Sequence, residues 1–297
     1  MNARTLQRQT ARDWITPIEL IALGAIWGGS FLFMRVAASD FGPFALVEVR
    51  VILGAATLLP FLWRARAILT PRHWLRMAIV GMANSAIPFT LFAWGAERAP
   101  AGVGAITNSM TPLFTALVAF VVWRDAIGVR SAIALIVGFI GVVILAGSHV
   151  EGADVLQAAI AGTVASLSYG VAANLTKRWL ADIPPAAAVA GTLSCGAILI
   201  APFALTHLPS ATIPAQSWFA VAMLGILCTG IAYALLFRLI ARVGAPRAIT
   251  CTYLIPLFGV GWAWLLLGES PTLTMLIAGA LILGSVILSQ RQQKKSS

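Results

Sequence analysis

Ten stretches of about twenty residues, each nearly free of charge, follow one another along the chain: 18–38, 43–63, 74–96, 100–122, 129–147, 156–178, 185–206, 216–238, 245–267 and 272–290. A helix rising 1.5 Å per residue needs about 20 residues to cross the hydrocarbon core of a bilayer. The runs are too long for strands and lack the apolar–polar alternation of a barrel wall. The connections are short, marked by Gly42-Pro43, Thr70-Pro71, Pro184-Pro185, Pro209 and Ser270-Pro271, so no aqueous domain fits between them. The expected fold is an all-α integral membrane protein with ten transmembrane helices. Of 297 residues, 60% are hydrophobic and only 10% charged. A water-facing domain carries roughly 25% charged residues.

The formal charge of +10 would suggest nucleic acid in a soluble protein. Its placement argues otherwise. With a cytoplasmic N-terminus, 17 of the 20 Lys and Arg fall on the cytoplasmic side, leaving Arg35, Arg50 and Arg98 on the other. That is the positive-inside pattern of an inner membrane. The basic start, MNARTLQRQTARDW, resembles a signal-peptide n-region, but the run that follows is too long for a signal core and reads as a retained first helix. Cys195, Cys228 and Cys251 lie in apolar runs without C-x-x-C spacing and read as buried thiols.

The chain also repeats itself. "MTPLFTALVAFVVWRD" (110–125) and "LIPLFGVGWAWLLLGE" (254–269) share Pro-Leu-Phe and an acidic residue thirteen positions after the proline, at an offset of 144. Trp27 precedes Arg35 by eight residues, as Tyr169 precedes Lys177. Five helices per repeat is an odd number, so the second copy enters the membrane from the opposite side. Inverted repeats of this kind recur in secondary transporters. The expected organisation is a cytoplasmic tail (1–17), a first five-helix repeat (18–147), an extracytoplasmic linker (148–155), a second repeat (156–290) and a cytoplasmic tail (291–297).

Three segments carry a family resemblance: "YALLFRLIARVGAPRAITCTYLIPLFGVGWAWLLLGES" (233–270), "AIWGGSFLFMRVA" (25–37) and "VEVRVILGA" (47–55). The chain resembles the EamA-type family of the drug/metabolite transporter superfamily along nearly its whole length. Arg124-Asp125 departs from the family's usual Gly-Glu at that place. The resemblance implies both termini in the cytoplasm, a central cavity between the halves, and export or exchange of small metabolites, amino acids or drugs.

Candidate site residues follow from what is costly inside a bilayer. Pro112 and Pro256 each lie midway along a span and remove the usual donors to the carbonyls of Asn108 and Thr252. Such paired breaks either expose backbone to a substrate or are packing kinks capped by Ser and Thr. Trp27, Trp94, Tyr169 and Tyr233 lie within spans, whereas Trp14, Trp63, Trp74, Trp123, Trp179 and Trp218 sit near helix ends as an interfacial belt. Asn84, Asn108 and Tyr253 add polar groups that should face the interior. The substrate-binding set is therefore expected to be Trp27, Asn84, Asn108, Tyr169, Tyr233 and Tyr253, with Pro112 and Pro256 shaping the backbone. Glu48 and Arg50 are charged within a span and are candidates for coupling or charge pairing. They are two residues apart and do not share a helix face.

The expected function is a secondary active transporter, an exporter or exchanger working by alternating access, driven by a proton or counter-substrate gradient. Its partners would be a small-molecule substrate and the lipid bilayer, not nucleic acid, and the sequence leaves monomer and homodimer both open. Two rivals are an intramembrane lipid-modifying enzyme and a solute channel. His73, His149 and His207 lie at helix ends or loops, and no H-E-x-x-H, G-x-S-x-G, Walker or Cys/His metal motif is present, so neither catalytic residues nor a cofactor or metal is expected.

Overall fold

The computed structural model describes residues 15–150 and 153–293. Most of both expected tails, with all their basic residues except Arg291, and Glu151-Gly152 of the linker lie outside the described residues. Helix begins at Ile15 and persists to Gln293.

The described chain is helical throughout. The helices are α1 (Ile15–Ala65), α2 (Pro71–Arg98), α3 (Ala101–Trp123), α4 (Val129–Ala146), α5 (Val155–Trp179), α6 (Pro185–Thr206), α7 (Ala215–Val243), α8 (Ile249–Leu267) and α9 (Leu273–Gln293). The first eight are long and apolar enough to cross a membrane, and α9 holds a shorter apolar stretch, Leu273–Ser289. This is a multi-pass membrane protein.

The first two expected spans form one helical stretch, α1, broken at Gly42 (φ 70°, ψ 161°). Pro43 follows, and a left-handed φ beside a proline is a place where only glycine avoids strain. Arg50 Nη1 lies 3.6 Å from Met34 Sδ. Sixteen residues of straight helix would separate them by about 24 Å. The two arms of α1, 15–41 and 43–65, therefore double back on each other.

Lipid supplies no hydrophobic drive between helices, so close packing of small residues must hold them. In the N-terminal arm of α1, a Cβ on Gly28 would lie 2.6 Å from Phe258 Cβ and 2.8 Å from the Gly259 nitrogen of α8. In α5, a Cβ on Gly170 would lie 2.8 Å from the Phe114 carbonyl carbon and 2.9 Å from the Thr115 nitrogen of α3. Helix α4 packs on α9 through Gly138 against Ser285 and Gly141 against Ile282. The opposite face of α4, with Val129, Ile136 and Val143 each more than 60% exposed, is the lipid-facing side.

Two stretches wind more loosely than α-helix, with π-type turns at Met82–Ala86 in α2 and Met223–Ile231 in α7. Thr229 Oγ1 donates to the Leu224 carbonyl five residues back, at 2.8 Å. Helix α3 is interrupted at Ser109-Met110, and α8 begins as the tighter 3-10 form over Ile249–Leu254. The breaks thus fall just before Pro112 and Pro256. The carbonyls expected to be free are not: Thr111 Oγ1 donates to the Asn108 carbonyl at 2.8 Å, and the Ile255 N–H donates to that of Thr252. A neighbouring hydroxyl and a shift to 3-10 pairing replace the donors the prolines lack.

At one end of the bundle Glu269 ties three helices together. Its Oε1 accepts from Arg35 Nε and its Oε2 from the Ala101 N–H, both at 2.8 Å, while Arg35 Nη1 donates to the Ala96 carbonyl at 2.7 Å. At the other end Arg178 donates to Asp125 at 2.8 Å, and Glu19 pairs with Arg238 and Arg242. There too, His73 Nδ1 accepts the Thr70 N–H in a capping box, leaving Nε2 to donate to Asp182 at 3.0 Å. That bond holds the exposed Asp182 carboxyl below the usual carboxylate range.

Candidate functional site

A cavity of about 690 Å³ lies within the bundle. The bends that shape it are those above: the reversal at Gly42, the loosened turns of α2 and α7, and the breaks in α3 and α8. All six residues expected to bind substrate, Trp27, Asn84, Asn108, Tyr169, Tyr233 and Tyr253, are on its wall. Pro112 also lines it, whereas Pro256 is buried behind it in α8. Arg50 lines the cavity; Glu48, on another face of the same arm, does not, and its Oε2 is buried without a partner among the described residues.

The polar wall has unused bonding capacity. Among the described residues, the side chain of Asn108 and the hydroxyls of Tyr169 and Tyr253 make no hydrogen bond within the protein, while the Tyr233 hydroxyl and the Asn84 side chain bond to each other. None of these atoms is sealed away among the buried unpartnered groups. Polar groups in a bilayer protein are ordinarily satisfied by neighbours. Three that are accessible from one cavity can instead bond a solute or water inside it.

The aromatic wall is rigid. Trp27 meets Tyr233 edge-on at 6.1 Å, and Tyr169 packs between Phe92 at 6.2 Å and Phe89 at 6.4 Å. Such pairs hold each ring through its neighbour. The sequence did not single out Phe89 and Phe92, because an aromatic inside an apolar run carries no mark of which side it faces. Trp94 does not line the cavity; its ring instead lies 3.7 Å from the Arg98 guanidinium carbon.

The cavity has two unlike ends. Near the Arg35–Glu269 tie, none of Arg35, Ala96, Ala101 and Glu269 touches the cavity. Toward the other end its wall continues to Gly128, Ser131, Ser289 and the exposed residues Asp125 and Lys177. Helices α4 and α9 therefore contribute to the mouth. Among the described residues no cluster of His, Cys, Asp and Glu could hold a metal ion.

Comparison with known proteins agrees with this architecture. The EamA-like transporter family matches residues 15–147 and 156–290. An uncharacterized transporter of Bacillus subtilis, YoaV, is 22% identical over 280 residues, covering 92% of this chain and 95% of its own. A probable terminal-alkyne amino-acid exporter of Streptantibioticus cattleyicolor is 25% identical, with 92% of each chain covered. A probable amino-acid metabolite efflux pump of Salmonella typhimurium is 23% identical, covering 87% of this chain and 88% of its own. One solved crystal structure shares the fold with a TM-score of 0.59, at 18% identity, over 92% of this chain and 96% of that one. With the family matching both halves, and with relatives named as transporters rather than enzymes, the chain belongs to the EamA-like transporter family of the drug/metabolite transporter superfamily.

Proposed function

We propose that this protein is a secondary active transporter that exports or exchanges a small organic metabolite by alternating access. One observation carries the reading. The bundle encloses a substrate-sized cavity with unpartnered polar groups on its wall, tied shut at the Arg35–Glu269 end and reaching exposed residues at the other. Ligand cavities of roughly 300–1,000 Å³ suit small molecules.

Counting the two arms of α1 separately gives ten spans in two inverted five-helix units, 18–147 and 156–290. Matched contacts support this. Gly28 meets Phe258 and Gly259, and Gly170 meets Phe114 and Thr115, which are the same positions shifted by 142 and 144. A two-fold axis that brings 138 to 285 must also bring 141 to 282, and both contacts are present. The looser turns at 82–86 and within 223–231 correspond as well, as do the left-handed helix ends at Arg124 and Gly268. The end ties are exchanged between halves: Arg35 of the first reaches Glu269 of the second, and Arg178 of the second reaches Asp125 of the first.

The basic residues orient the protein in an inner membrane with both termini cytoplasmic. The Asp125 end then faces the cytoplasm, and the conformation described is open inward. Relatives named as amino-acid exporters and efflux pumps favour an amino acid or analogue as cargo. Drive comes from a proton or counter-substrate, and Glu48 is the carboxyl within a span available for coupling. The protein works as a monomer or homodimer.

Reconstituted protein should show saturable counterflow of a labelled amino acid or analogue drawn from an export screen. Alanine at Trp27, Asn108 or Tyr253 should abolish it. Flux that never saturates would point to a channel instead, and full activity in all three variants would remove the site assignment.

A further inference from the structure

The cavity contains a cation that the protein does not neutralise. Arg50, in the C-terminal arm of α1, is 6% exposed and sits on the cavity wall. None of the ion pairs among the described residues includes it. Its polar contacts are weak or neutral: Nε donates to Thr229 Oγ1 at 3.2 Å, and Nη1 approaches Met34 Sδ at 3.6 Å. Its guanidinium carbon lies 3.6 Å from the centre of the Phe89 ring. Nη2 has no partner among the described residues and is not among the sealed buried atoms.

These contacts position the group without satisfying it. Thr229 gives its own proton to the Leu224 carbonyl, so its hydroxyl can only accept from Arg50. The loosened turn of α7 thus fixes Nε, and Phe89 covers one face of the guanidinium. What remains free is the outer edge, whose paired N–H groups match the two oxygens of a carboxylate. A buried cation without a counter-ion is costly, and the aromatic face offsets only part of that cost. The other charged residues lining the cavity, Asp125 and Lys177, are both at the exposed mouth. The deep part of the cavity therefore has one positive charge and no negative one.

We propose that Arg50 is the anchor for a carboxylate, and that the cargo is an organic monocarboxylate with an apolar or aromatic body. This rests on the transport-site reading above and names its substrate class. The body lies against Trp27, Phe92, Tyr169 and Tyr233. Asn84 and Asn108 take up any amino or hydroxyl substituent. Organic cations are excluded from the deep site by the same charge.

The test pairs acids with their amides: L-phenylalanine with L-phenylalaninamide, and 3-phenylpropanoate with 3-phenylpropanamide, alongside phenethylamine. Binding to purified full-length protein is read by thermal stabilisation, and transport by counterflow in liposomes. The acids should bind the wild type and the amides and the amine should not. Arg50→Lys keeps the charge but loses the fork and should raise the half-saturating acid concentration about ten- to hundredfold. Arg50→Gln should abolish the preference for acids. Thr229→Val leaves the guanidinium in place but unfixed and should weaken the acids alone, which keeps the test decisive even where Arg50→Gln fails to fold. Equal binding of an acid and its amide, or an Arg50→Lys variant with unchanged acid affinity, overturns the assignment. Saturable transport of the amine or amides without the acids overturns it while leaving the transporter reading intact. Transport of none of the panel overturns the substrate class, and if the export screen also finds no cargo, the transporter reading falls with it.

Discussion

Replacing Glu269 with glutamine should open the end of the protein that is tied shut. The Glu269 carboxylate accepts two hydrogen bonds at 2.8 Å, one from Arg35 and one from the Ala101 N–H, and its side chain is only 16% exposed. Glutamine keeps one accepting oxygen; its NH2 group cannot accept from either donor. The change therefore removes one charge-assisted bond and weakens the other. Such bonds contribute about 1.5–3 kcal/mol, a roughly 10- to 100-fold change in the ratio of the two conformations. Arg35 is 32% exposed, so solvent screening favours the lower part of that range. The Asp125–Arg178 pair provides an internal control. Its acid is 52% exposed, so Asp125→Asn should cost only about 0.2–1 kcal/mol. The reporter is Ser30→Cys, at a buried position on the cavity wall, in a background lacking Cys195, Cys228 and Cys251. A membrane-impermeant maleimide applied outside intact cells reaches it only when the outer end opens. Glu269→Gln should speed labelling about tenfold or more, and Asp125→Asn should change it by a few-fold at most. Unchanged labelling in Glu269→Gln, or an equal effect from Asp125→Asn, would refute the latch and the ranking by burial.

Three further substitutions test the local chemistry. Arg124 ends α3 in the left-handed region (φ 60°, ψ 22°), where Gly268 ends α8 at φ 70°, ψ 12°. Arg124→Gly relieves a strain of about 1–2 kcal/mol and loses part of it to the freer unfolded chain, so a rise in thermal midpoint is expected by fluorescence-detected size exclusion. Thr111→Val leaves the Asn108 carbonyl without its hydroxyl donor, at a cost of about 1–3 kcal/mol. Thr252→Val should cost less, because the bond it removes, from the Thr252 hydroxyl to the Ile249 carbonyl, is exposed and water can replace it.

The parts of the fold legible in the sequence are those with a one-dimensional signature. Apolar runs of spanning length mark the helices, and the prolines at 112 and 256 mark the segments where helix breaks. Thr70-Pro71 read only as a connection, although a capping residue followed by proline starts α2 there. The loosened turns at Met82–Ala86 and Met223–Ile231 had no such signature, because an i to i+5 turn comes from packing rather than residue preference. The six residues expected on the cavity wall are on it because amide, hydroxyl and indole N–H groups are costly against lipid tails and turn inward. Arg50 was harder to read. Its charge within a span marked it only as a candidate for coupling or charge pairing, and only the reversal at Gly42 brings Arg50 against Met34, with Phe89 and Thr229 completing its surroundings.

The exchanged end ties also bear on how such a chain can evolve. Arg35 is held by Glu269, not by the Asp125 of its own half, and Arg178 is held by Asp125 rather than Glu269. Neither half carries a complete latch. A substitution at Arg35 is therefore felt by a partner 234 residues away, in the other half of the chain. The two halves cannot drift apart as independent modules. A chimera that takes one half from a distant relative should lose the Arg35–Glu269 latch first, before its helices fail to pack.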